Sequence, residues 1–127
     1  GWAWVGRAGV HQGAWYGPYT QRLAPGQFYR AIFRLKTDVI TETREIARLD
    51  VVDDAGATRL GLKWLRGVDF QQADAYQEFG VDFWYREAGT SGLEFRIDYY
   101  GVQDLYFDRV LVTSYPTRPA ICLPIRR

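Results

Sequence analysis

The sequence predicts an all-β domain, a two-sheet antiparallel β-sandwich of jelly-roll type with about eight strands. Three observations carry that prediction. Segment after segment alternates apolar and polar residues, turn signals rich in Gly, Pro and Asp fall between the segments, and no stretch has a convincing helical period. The clearest alternation runs from Tyr76 to Tyr85. Gln77, Phe79, Val81, Phe83 and Tyr85 share one side; Tyr76, Glu78, Gly80, Asp82 and Trp84 share the other. Successive side chains of a strand point to opposite faces of a sheet, so the first set reads as core. The second is a polar face that carries a tryptophan among carboxylates.

The remaining elements follow in order. Trp2 to Val5 is short and β-prone, and Ala14 to Thr20, broken at Gly17-Pro18, reads as an edge or bent strand. Ala24-Pro25-Gly26 turns the chain into Gln27–Thr37, which sets Tyr29, Ala31, Phe33 and Leu35 against Phe28, Arg30, Ile32, Arg34 and Lys36. Asp38 to Arg44 is a polar loop. Glu45–Asp53 sets Ala47, Leu49 and Val51 against Arg48 and Asp50, and Asp54-Ala55-Gly56 makes a hairpin turn. Thr58–Leu65 sets Leu60, Leu62 and Trp64 against Arg59, Gly61 and Lys63, which assigns Trp64 to the core. Gly67 to Ala75 connects to Tyr76–Tyr85, and a loop at Glu87 to Gly92 leads to Leu93–Tyr100 and Leu105–Thr113. Residues 1–113 therefore form the sandwich, and 114–127, with Pro116, Pro119 and Pro124, read as a tail or linker. The expected core includes Tyr29, Phe33, Leu49, Val51, Leu60, Leu62, Phe79, Val81, Phe83, Phe95 and Ile97.

Charge patterning selects the topology. A plain hairpin of Tyr76–Tyr85 with Leu93–Tyr100 places Asp82 opposite Glu94 and Glu78 opposite Asp98, and like charges directly opposite are destabilising. A jelly roll instead pairs the third strand with the sixth and the fourth with the seventh. Arg30 and Arg34 then share an outer face with Glu78 and Asp82, and Arg48 and Asp50 lie beside Arg96 and Asp98.

Composition bounds the function. A chain of 127 residues fits one domain, and 47% hydrophobic with 24% charged residues is an ordinary soluble balance. A net charge of +1 gives no global field to draw nucleic acid or anionic lipid, and no apolar run approaches membrane-spanning length. With no signal peptide and Gly1 in place of an initiator Met, the chain reads as a mature product or an excised domain. Cys122 is alone, so no internal disulfide forms. Met and Asn are absent, and the basic residues are fourteen arginines against Lys36 and Lys63. The lack of thermolabile residues fits a heat-adapted source, the scarcity of lysine does not match the usual hyperthermophile pattern, and GC-rich coding explains the bias equally.

Two segments carry a family resemblance. Pro25-Gly26-Gln27-Phe28-Tyr29-Arg30-Ala31-Ile32-Phe33-Arg34 resembles the "PG-x-Y-x-hydrophobic-x-F" strand that opens many jelly-roll carbohydrate-binding modules. Leu105-Tyr106-Phe107-Asp108-Arg109-Val110-Leu111-Val112 resembles their closing strand. The resemblance covers roughly residues 17 to 113. It implies a glycan-binding fold and a structural calcium ion held in part by the closing-strand Asp, here Asp108; the alternative for Asp108 is a buried carboxylate paired with an arginine. The other acidic ligands of such modules lie near the chain start, where this chain has no acidic residue before Asp38.

Catalytic chemistry finds little support. His11 is the only histidine and Ser91 and Ser114 are the only serines, too few for a well-built triad or a zinc site. Glu78 with Asp98 is the conceivable glycosidase pair, and salt bridges with neighbouring arginines are the alternative for both. Asp50, Asp53 and Asp54 could ligate calcium or simply build a turn.

The 17% aromatic content is the better signal. Sugar rings stack their C–H faces on flat aromatic surfaces while charged groups hydrogen-bond the hydroxyls. Trp84, Tyr76, Glu78, Asp82, Arg30, Arg34 and Tyr100 offer that combination, unless the 67–75 connection or the N-terminal segment covers Trp84. Trp2, Trp4 and Trp15 either form a loop-end platform or dock a neighbouring subunit. The expected function is a non-catalytic glycan-binding module of a larger secreted or cell-surface protein. Its partner is a poly- or oligosaccharide, with no nucleic acid and no membrane insertion. The alternative is a structural subunit that self-associates through exposed aromatics, the N-terminal tryptophans or the C-terminal tail.

Overall fold

The structure, a computed structural model, describes residues 4–16, 23–86, 92–114 and 121–123. These residues form nine strands: β1 (Trp4–Gly6), β2 (Gly13–Tyr16), β3 (Gln27–Thr37), β4 (Glu45–Asp53), β5 (Thr58–Arg66), β6 (Gln77–Tyr85), β7 (Glu94–Tyr99), β8 (Leu105–Ser114) and β9 (Ile121–Leu123). One sheet has the order β1-β8-β3-β6, with β9 also paired to β8, and the other has the order β2-β7-β4-β5. Every pairing is antiparallel. Most consecutive strands thus change sheets, which is the jelly-roll arrangement. The expected pairings of third with sixth and fourth with seventh strands are both present.

The alternation read from the sequence is what buries the core. Along β3 the odd-numbered residues Tyr29, Ala31, Phe33 and Leu35 are buried while the even-numbered ones face outward, and β6 repeats the pattern with Phe79, Val81, Phe83 and Tyr85. Leu49, Val51, Phe95 and Ile97 close the core from the second sheet. Phe83 stacks on Tyr29 in its own sheet at 5.7 Å and meets Phe95 of the opposite sheet edge-on at 6.0 Å. Each fully buried side chain of this size contributes about 1.5–3 kcal/mol.

Four expectations need correction. Leu62 and Trp64 belong to the outer face, because β5 pairs with β4 through Asp50↔Leu62 and Arg48↔Trp64. Trp64 is 48% exposed, and Leu60 is only partly buried against the core. The inward position of β5 is Gly61 instead. A Cβ there would stand 2.7 Å from the backbone oxygen of Asp82 and 2.9 Å from Val81 Cγ1. The edge of one sheet folds so closely onto the other that only glycine fits. Trp15 is the third case. It is 2% exposed and stacks between Tyr99 and Phe107, so it is core and not part of a loop-end platform. Trp4 is exposed, and Trp2 lies outside the described residues. Fourth, the segment 114–127 contributes Ile121–Leu123 to the chain's own sheet.

Loops at one end are tied by a buried polar chain. Gln103 Nε2 donates to Thr37 Oγ1 at 2.5 Å and to the Val39 carbonyl at 2.6 Å, and the Thr37 hydroxyl donates to the Asp104 carbonyl at 2.7 Å. The Tyr99 hydroxyl donates to the Gln103 carbonyl at 2.6 Å, and the Tyr99 ring occupies the space where Gly6 would carry a Cβ. Burial raises the Tyr99 hydroxyl from its ordinary value of 10.0 to about 12.

Two outcomes test this packing. Gly61→Val is expected to lower the unfolding free energy in urea by about 1–3 kcal/mol, the cost of overpacking. Leu62→Ala on the outer face should cost less than the about 2–5 kcal/mol of a core leucine. A neutral Gly61→Val would mean that β5 is in the other phase. The neutral Tyr99 is favoured by folding, so its contribution is whole below pH 10.0 and is lost between there and about 12. Tyr99→Phe should flatten that alkaline loss in a pH series of melting temperatures.

Candidate functional site

The outer face of the β1-β8-β3-β6 sheet brings together most of the expected site. The register of β3 with β6 sets Phe28 opposite Trp84, Arg30 opposite Asp82, Ile32 opposite Gly80 and Arg34 opposite Glu78. Phe28 and Trp84 meet edge-on with centroids 4.8 Å apart and remain 53% and 44% exposed. Trp84 is therefore not buried under the 67–75 connection, and residues 1–3 and 17–22 of the N-terminal segment lie outside the described residues. Phe28 was absent from the expected site, although the same strand pairing, applied one step further, leads to it.

Beside this pair, Arg30 Nε donates to Asp82 Oδ1 at 2.7 Å and Nη2 to Oδ2 at 3.2 Å. Gly80 makes room for that guanidinium, since a Cβ at Gly80 would stand 2.9 Å from Arg30 Cδ. The absence of a side chain at Gly80 also leaves a shallow hollow of about 350 Å³ lined by Arg30, Ile32, Glu78 and Gly80. A second hollow of about 290 Å³ opens on the other side of Glu78 and includes Arg34 and Tyr76.

At the far end, cations and rings alternate. The Arg34 guanidinium lies 4.9 Å from the Tyr76 ring, the Lys36 ammonium lies 4.9 Å from Tyr76 and 4.5 Å from Tyr106, and Arg7 stands 5.5 Å from Tyr106. Burial, followed by the nearby Asp108 charge, raises the Tyr76 hydroxyl above its ordinary value. Arg7 donates to Asp104 at 3.1 Å, and the Ala8 backbone N–H donates to the same carboxylate at 2.9 Å. The Ala8 hydrogen bond is the chief reason that Asp104 titrates below its ordinary range.

Other expected residues are placed elsewhere. Tyr100 follows β7 in the opposite sheet, where its backbone N–H donates to the Ile46 carbonyl, so it does not share the Trp84 face. Asp98 also lies on β7, within 3.4 Å of Arg48. Glu78 and Asp98 therefore occupy outer faces of different sheets and cannot act as a glycosidase pair. Asp108 accepts from Arg34 Nε at 2.9 Å. This is the arginine pairing that is the alternative to a calcium role for Asp108, and the pair is part-buried. Among the described residues no three His, Cys, Asp or Glu side chains gather to hold a metal. Asp53 and Asp54 serve the turn: Asp53 accepts from the Asp54 N–H at 2.9 Å, and the Thr58 hydroxyl donates to Asp54 at 3.2 Å. His11 Nδ1 accepts from the Arg7 N–H within a local turn, Ser114 is buried at the end of β8, and Ser91 lies outside the described residues.

The opposite sheet uses its outer charges differently. Asp50 is 1% exposed beneath Arg96, which donates to it at 2.9 and 2.7 Å, with Arg59 at 3.4 Å and Arg48 at 3.8 Å. The hydrogen bond to Asp50 raises the Arg96 pKa further. A buried carboxylate persists only with such partners. These charges hold structure, whereas the Arg30–Asp82 pair is open to solvent. Asp50→Ala is expected to cost about 3–5 kcal/mol because it leaves guanidiniums facing one another without a counter-charge. Asp82→Ala should cost under about 1 kcal/mol, as an exposed pair does. Chemical denaturation of both variants checks the contrast.

Among the described residues no helix is long and apolar enough to cross a membrane. No protein-family model matches the chain, and no curated protein matches it in sequence.

Proposed function

We propose that the protein is a non-catalytic glycan-binding module that takes sugar on the outer face of the β1-β8-β3-β6 sheet and acts outside the cell or at its surface. One observation carries this reading: Phe28 and Trp84 form an exposed aromatic pair on neighbouring strands, beside a solvent-open bidentate Arg30–Asp82 pair. The two ring planes stand 66° apart, so each offers its own apolar face to the C–H face of a sugar, and the ion pair offers both donors and acceptors to its hydroxyls. The hollow between Arg30, Ile32, Glu78 and Gly80 gives an adjacent ring a place to lie. Both aromatics stand on long strands and not on loops, Phe28 on the central β3 and Trp84 on the edge strand β6, so the platform is held rigidly and little ordering cost opposes binding. Glu78, Tyr76 and Arg34 extend the same surface.

Trp84→Ala and Phe28→Ala are each expected to weaken glycan binding by about 1–2 kcal/mol, the loss typical of an aromatic anchor. Neither should approach the about 3–5 kcal/mol loss of stability expected for Phe83→Ala in the core. A glycan array identifies a ligand for the wild type, and calorimetric titration of the folded variants then gives the comparison. Wild-type affinity in Trp84→Ala would sink the proposal for this face.

A further inference from the structure

The outer face of the β1-β8-β3-β6 sheet is electrically uneven. At the Trp84 end its charges cancel in the Arg30–Asp82 pair. At the other end Arg7, Arg34, Lys36 and Arg109 gather about Asp104 and Asp108, and Glu78 stands opposite Arg34, so among these residues cations outnumber carboxylates. Asp104 is taken by Arg7 and Asp108 by Arg34. No carboxylate among the described residues pairs with Lys36, whose ammonium is held between the rings of Tyr76 and Tyr106. Ring faces steady the charge but leave its N–H donors open. Arg109, exposed and opposite Arg34, also has no carboxylate partner among the described residues. The irregularity in the β3–β8 pairing between Arg34 and Leu35 lies beside Asp108 and Arg109 and adds Arg109 to this end.

We infer that the ligand of this face is an anionic glycan, a polyuronate or a sulfated polysaccharide. Lys36 and Arg109 take its acidic groups while Phe28 and Trp84 stack on an uncharged ring face. This rests on the glycan-binding reading and adds the chemical class of the ligand. Lys36 is eight residues along β3 from Phe28, about 27 Å at the usual rise of a strand. One sugar cannot touch both ends, but a chain can. Glu78, Asp82, Asp104 and Asp108, spread through the face, accept hydrogen bonds from sugar hydroxyls, donors that a DNA backbone does not offer. The acceptor pattern therefore favours a glycan over DNA.

The test uses matched polymers with the full chain. Polygalacturonate is compared with its methyl ester and dextran sulfate with dextran, and single-stranded DNA is a fifth probe, all by affinity electrophoresis and calorimetry. The acidic member of at least one matched pair should bind about tenfold more tightly than its neutral partner, with an advantage that shrinks as salt rises. Which pair shows it distinguishes carboxylate from sulfate. Lys36→Gln with Arg109→Gln should remove most of that advantage at an unchanged melting temperature, while Lys63→Gln should leave it intact. Equal binding of acidic and neutral partners overturns the inference. So does an unaltered preference in the double variant, or DNA binding as tight as that of the acidic glycans. A neutral glycan whose binding still depends on Trp84 would leave the glycan-binding reading standing without the anionic one. Binding that depends on Lys36 and Arg109 but not on Trp84 would remove the aromatic platform instead.

Discussion

The register of β3 against β6 is the constraint on which the rest of this molecule depends. Nine successive residues of β3, Gln27 to Leu35, are paired with β6, and most of the same strand is paired with β8 on its other edge. Because side chains alternate, a slip of one residue would drive Arg30, Arg34 and Lys36 into the core and push Tyr29, Phe33 and Leu35 into water. Burial of the aromatic core therefore fixes, without any further interaction, which residues meet on the outside. The pairing of Phe28 with Trp84 and of Arg30 with Asp82 is a by-product of keeping Phe33 and Phe83 dry.

This coupling explains how much was legible in advance. The limits of β3 and β4 follow from alternation and turn chemistry, because a strand covered on one face announces its period. The cross-sheet order was legible because charges of opposite sign had to meet: Arg30 with Asp82, and Arg48 and Asp50 with Asp98 and Arg96. Tertiary closeness left no such trace. Gly61 faces inward because the backbone of Asp82 approaches from the other sheet, and nothing local to β5 reports that approach. Trp15 is core because Tyr99 and Phe107, both distant in sequence, come to its two faces. Asp108 meets Arg34 beside a pairing irregularity that shifts β8 by one residue, and irregularities of that kind have no period to read.

The two outer faces divide the charged residues between two tasks. On the β2-β7-β4-β5 sheet, three guanidiniums converge on the carboxylate of Asp50, and desolvation makes each contact strong and hard to replace. On the β1-β8-β3-β6 sheet the pairs are open to water, individually weak, and free to exchange a protein partner for an external one. The same residue types thus act as a structural clamp on one side of the sandwich and as an adaptable surface on the other, and solvent access alone separates the two roles.

The outer edge of β8 is shared by the two ends of the chain: β1 pairs with Leu105 to Phe107, and β9 with Val110 to Val112. Entry and exit strands therefore lie along one side of the sheet, while Trp84 stands on β6 at the opposite side, three strand spacings or about 14 Å away. Trp4 and Leu123, the outermost described residues of β1 and β9, thus both stand on the edge remote from the aromatic platform. Chain carried past either strand is rooted on that edge, three strands from Trp84.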